Sequence, residues 1–177
     1  MEPDALARRY RRLWTGEAVA IVVFLVLYLK SAPLGGSWPE WIARTYGLGV
    51  LIGILVQSIF WWRHKLLLLR ANRRDMPPRI AARFRRLKWM NWSLIGAFPL
   101  VLVAKASAIG SIWSRGDTWW GIVCITGALL EQINYFHYQL MYDNPYDWEQ
   151  LRTYRRLRRG TIGKALAAQP ARSASLD

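Results

Sequence analysis

A length of 177 residues suits one domain, and 53% hydrophobic residues beside a net charge of +14 exclude an ordinary soluble domain. The two properties are separated along the chain: the apolar residues fall in four blocks, the basic ones in three segments between and beyond them. The single cysteine, Cys124, sits inside an apolar block, so no intrachain disulfide and no redox framework is implied.

Residues 1–12 end in the basic cluster ARRYRR, immediately before the first apolar run. No small-x-small cleavage site follows that run, so it reads as a retained anchor rather than an export signal. Span one is expected over 13–34, with Glu17 and Lys30 near opposite ends, where long side chains reach headgroups. Span two, 41–62, carries Gly47, Gly49 and Gly53 for close helix contact. A cytoplasmic loop over 63–88 follows; its helix should stop before Pro77-Pro78. Beyond the prolines, Ile80, Phe84 and Leu87 recur at helical spacing among arginines, the pattern of a short amphipathic helix lying on the membrane.

Span three is placed at 89–112, with a kink at Pro99 and Lys105 toward its far end. Span four is placed at 119–142. A second amphipathic cytoplasmic helix is expected over 145–159, since Asn144 suits a cap, Pro145 the first helical position and Gly160 a stop. The tail, 161–177, is small and polar and reads as disordered. The expected fold class is therefore all-α: a polytopic integral membrane four-helix bundle, residues 1–160, with two short cytoplasmic amphipathic helices.

Charge sets the orientation. Of 25 Lys and Arg residues, 21 lie in the N-terminus, the middle loop and the C-terminus. The positive-inside rule places all three in the cytoplasm. All 11 tryptophans stand at or just beyond a predicted span end, as in aromatic belts. Arginine outnumbers lysine 20 to 5, an association with GC-rich bacterial genomes that points to a bacterial inner membrane. Arg79, Arg83, Arg86, Arg155 and Arg158 are the expected contacts to anionic headgroups. No helix-turn-helix, zinc or RNA-binding pattern accompanies the basic segments, so nucleic acid is not an expected partner.

Span four carries the unusual chemistry. Its first half, WWGIVCITGALL, is plainly apolar, but EQINYFHYQLMYD is not. Glu131 stands twelve residues past Trp119, near the middle of a ~30 Å hydrocarbon core. Glu131, Tyr135, Tyr138 and Tyr142 share one stripe, flanked by Asn134 and His137. Polar groups unpaired in hydrocarbon cost several kcal/mol each, so this arc must face protein, water or a ligand. Lys105 lies about 7 Å from Glu131 in expected depth and is the candidate ion-pair partner. His64 reads as an interfacial bystander.

Motifs for chemistry are scarce. P-loop, GxSxG, HExxH and paired-cysteine patterns are absent, and two histidines in all argue against a metal or haem centre, so no cofactor is expected. The leading functional expectation is a non-enzymatic accessory subunit whose span-four polar face docks a partner protein or another copy of the chain. The alternatives are a small proton-coupled transporter or channel using Glu131, and a membrane enzyme acting on lipid headgroups with Glu131 or His137 as base.

Overall fold

The computed structural model describes residues 3–31, 37–73, 76–113, 116–140, 152–153 and 157–168. The described residues form α1 (Pro3–Ser31), a 3-10 turn (Trp38–Trp41), α2 (Ile42–Arg70), α3 (Pro78–Gly96), α4 (Phe98–Ile109), α5 (Asp117–Phe136) and α6 (Thr161–Ala167). Among the described residues between these helices, Tyr138 and Arg159 form an isolated antiparallel bridge. Three helical lengths, Asp4–Ser31, Trp38–Arg70 and Pro78–Ile109, are long and apolar enough to cross a membrane. The fourth, α5, has 20 residues, about 30 Å of helix, but Glu131, Gln132 and Asn134 lower its apolar character.

The central element is α2. It runs antiparallel to α1, since its start meets the end of α1 at Ser31 and its later turns meet Tyr10. It runs parallel to α5, because Ala43 and Arg44 bond Asp117 at one end and Trp62 meets Tyr135 at the other. Their close crossing depends on glycine: a Cβ at Gly47 would stand 2.7 Å from the Gly121 carbonyl oxygen. Of the three glycines expected to allow close contact, only Gly47 is used so; nothing lies within 4 Å of a Cβ at Gly49 or Gly53.

The expected surface helix and span three are one column. Proline at 99 lacks the N–H that would continue the helical ladder, and the column breaks two residues earlier, at Ala97, between α3 and α4. The placement of the first amphipathic segment is corrected. Phe84 is 4% exposed and meets Trp61 edge-on at 5.3 Å, so its apolar face packs on protein rather than on a membrane surface. The physical reason is that α2 continues to Arg70 and, with α6, gives that face an apolar wall. Trp61 and Trp62 are core residues for the same reason.

The disordered reading of the tail is corrected over 161–167. After Phe136 the chain leaves the helix, and Gln139 N–H donates to the Arg158 carbonyl while Gly160 N–H donates to that of His137. A Cβ at Gly160 would stand 2.5 Å from the Tyr135 carbonyl oxygen, and one at Gly163 would overlap that of Phe136. These two glycines let α6 seat on the end of α5 and bury Ile162. The helix expected over 145–159 falls mainly outside the described residues. Of its described residues, 152–153 are helical and 157–159 are not. Span four, expected to 142, ends as a helix at Phe136.

Candidate functional site

The polar groups of the interior form three layers along α5. The first is ionic and lies where α2 and α5 begin. Asp117, fully buried, accepts from the backbone N–H groups of Ala43 (3.2 Å) and Arg44 (2.8 Å), donors that a helix start leaves unsatisfied. The same carboxylate meets Lys105 Nζ at 2.6 Å and Arg44 Nε at 3.3 Å. Lys105 also donates to Thr118 Oγ1 at 2.9 Å, and Arg44 to the Ser31 carbonyl at 2.9 Å. Lys105 therefore has an ion-pair partner, but it is Asp117, and the expected pairing with Glu131 is corrected.

The second layer is neutral. Asn91 and Gln57 exchange two hydrogen bonds of 2.9 Å, Asn91 donates to Gln132 Oε1 at 2.9 Å, and Gln132 donates to the Lys88 carbonyl at 3.1 Å. Three carboxamides thus tie α2, α3 and α5 together, with Asn91 and Gln132 almost wholly buried. Between this layer and the first, Gly121, Cys124 and Ala128 fill the buried face of α5 with close, apolar packing.

The third layer is acidic and is the candidate site. Tyr135, 4% exposed, donates its hydroxyl to Glu17 of α1. Ser58 of α2 stands beside the pair, and Glu131 is near enough for its charge to act on both members. Glu131 is half-buried and accepts from Asn134 Nδ2 at 3.4 Å. Asn134 Oδ1 in turn accepts from the Leu140 N–H at 2.8 Å, which helps end the helix. Trp62 backs Tyr135 edge-on at 6.5 Å and is itself stacked on Tyr10 at 5.7 Å. Beneath this layer a cavity of ≈50 Å³ opens among α1, α2, α5 and the chain leading into α6.

The expected stripe is therefore divided. Glu131, Asn134 and Tyr135 come together with Glu17. His137 does not join them, because its Nε2 accepts from Trp92 Nε1 at 3.3 Å on the other side of α5. Tyr138 is exposed and held in the bridge to Arg159. Tyr142 and Arg155 lie outside the described residues. Arg79, Arg83 and Arg86 are exposed, whereas Arg158 is half-buried and its carbonyl accepts from Gln139. Among the described residues no three His, Cys, Asp or Glu side chains gather as a metal site.

Comparison with protein-family models, with curated proteins and with solved structures finds no match to this chain.

Sequence reasoning turned Glu17 toward headgroups, where the structure bonds it to Tyr135, and passed over Asp117, Arg44 and the carboxamide layer. Two signals were available. Glu17 lies five residues past Arg12, about 7.5 Å inside the basic end, in a run otherwise apolar. Asp117 is the acid nearest to Lys105 in the sequence, across a single tight turn.

Proposed function

We propose that the chain is a small four-span integral membrane protein whose Glu17–Tyr135–Glu131 cluster binds and releases protons from the cytoplasmic side. In this reading α5 is the fourth span, the basic ends face the cytoplasm and the host membrane is a bacterial inner membrane. The basic distribution of 21 of 25 Lys and Arg residues supports that orientation. An intramembrane carboxyl is a functional candidate by default. Here two carboxyl groups from different helices share one tyrosine's surroundings.

The single observation that carries the proposal is the bond from Tyr135 to Glu17. It supplies the second ionisable group that Glu131 lacks in the sequence, and it gives the site a hydroxyl through which a proton can pass. The tight, apolar stretch at Gly121, Cys124 and Ala128 favours a one-sided site over an open channel. Proton-coupled transport is the activity class that uses such a site. Glu17→Gln in the full chain, reconstituted in lipid nanodiscs, should remove a titrating carboxyl band from the infrared difference spectrum while leaving the protein folded. An unchanged band would sink the proposal.

An accessory subunit is the second reading. The outward face of α1 supports it, since Val19, Val22, Val23, Leu25, Val26, Leu27 and Leu29 are all exposed. A partner protein, rather than lipid, on that face would co-purify in mild detergent and be lost on substituting Val22 and Val26 by alanine.

A further inference from the structure

One residue in the wall of the cavity beside the acidic layer carries a buried donor without a hydrogen-bond partner. Trp62 lines it, is 8% exposed, and its indole Nε1 has no hydrogen-bond partner although the atom is buried. A buried donor left unsatisfied costs about 1–3 kcal/mol, and native structures supply such groups with water when there is room. There is room: each water needs about 10–15 Å³ of such volume, and the cavity has ≈50 Å³. There are also partners, because Asn134 and Tyr135 of α5 line the same space and Arg9 and Thr161 stand at its wall. Tyr135 is thus shared between the cavity wall and the bond to Glu17.

We infer that this cavity is a hydrated proton port, in which ordered water held by the Trp62 indole and the Asn134 carboxamide links the basic end to Tyr135 and Glu17. The inference rests on the reading of Glu17 as a proton site. The step is a relay of O–H bonds only. A hydronium in the cavity gives a proton to the Tyr135 oxygen as Tyr135 gives its own to the Glu17 carboxylate, leaving water and a neutral carboxyl. No oxidant or co-reactant is needed, and Tyr135 ends as it began. The arrangement also explains why the wall includes α6, which the two close glycines seat against α5.

Two readouts on the full chain in nanodiscs test the port. Hydroxyl radicals generated by X-rays from bound water should label Trp62 and Tyr135, despite their burial. Thr161→Leu, which fills the cavity from its α6 wall, should lose that labelling, and Leu13→Phe should do so from the α1 wall if Thr161→Leu does not fold. In the same variants, exchange of the Glu17 carboxyl band into D₂O should slow while its titration midpoint stays in place. Absence of labelling in the unaltered protein would mean a dry cavity and overturn the inference. Labelling with unaltered exchange in the filled variants would overturn the port and leave Glu17 as a proton site fed from elsewhere. A missing Glu17 band, with labelling intact, would instead remove the proton site itself.

Discussion

Lys105 shows how far a residue's depth alone can mislead. Its height matches Glu131 to within a lysine stem, yet Asp117 holds it at 2.6 Å with both side chains fully buried. Removing one member of a buried pair strands the other, at about 3–5 kcal/mol. Lys105→Met leaves Asp117 with Arg44 and two backbone donors, so it should lower stability in detergent by about 1–3 kcal/mol, and Asp117→Ala by the full order, since it strands Lys105 and Arg44 and uncaps two backbone donors. Double-mutant cycles should show coupling of Lys105 to Asp117 and none to Glu131; coupling to Glu131 instead would refute the ionic layer. The sequence concealed this pair because a span boundary drawn at Trp119 leaves Asp117 in a loop. Periodicity reports which face of one helix is polar, but not which neighbour's residue meets it. Glu17 was obscured in the same way: its partner, Tyr135, is 118 positions away.

At the scale of elements, α6 is the part with the sharpest steric demand. Its seat on α5 leaves no space for a side chain at Gly163, against the Phe136 carbonyl. Gly163→Ala should cost at least about 1–3 kcal/mol, as overpacking does, and should make the C-terminal segment open to limited proteolysis. Gly53→Ala meets open space and lies mid-helix, so it should be neutral or stabilising by up to about 1 kcal/mol. Equal losses in both variants would contradict the close seat. The three long apolar columns and the break before Pro99 were legible, because hydropathy and proline chemistry act locally. The seat of α6 was not, for its glycines read as a helix stop and a polar tail until the end of α5 is placed beside them. The apolar face of α3 was legible as a face, but whether protein or membrane covers it depends on how far α2 extends.

For the molecule as a whole, the proposed topology makes a direct forecast. Reporter fusions at Ser37, Met76, Gly116 and the C-terminus should read outside, inside, outside and inside. An outside signal at Met76 would reject four spans in this order, against a middle segment that carries ten of the basic residues. A protein with α5 lying elsewhere than across the membrane would give matching signals at Gly116 and the C-terminus. Hydropathy alone does not decide this, since polar residues of α5 are matched by partners on α1, α2 and α3.

The parallel course of α2 and α5 has an electrical consequence. Both helices begin at Asp117, and each helix start carries about half a positive charge. The buried cluster there adds two cations against one carboxylate. At an effective dielectric constant of 20, one net charge repels a cation 10 Å away by about 1.7 kcal/mol. In the proposed reading, that end of the molecule disfavours protons and metal cations alike. In that reading, charge loaded beside Glu17 faces a rising potential toward the helix starts at Asp117, so without a rearrangement of the ionic layer it leaves by the door through which it came.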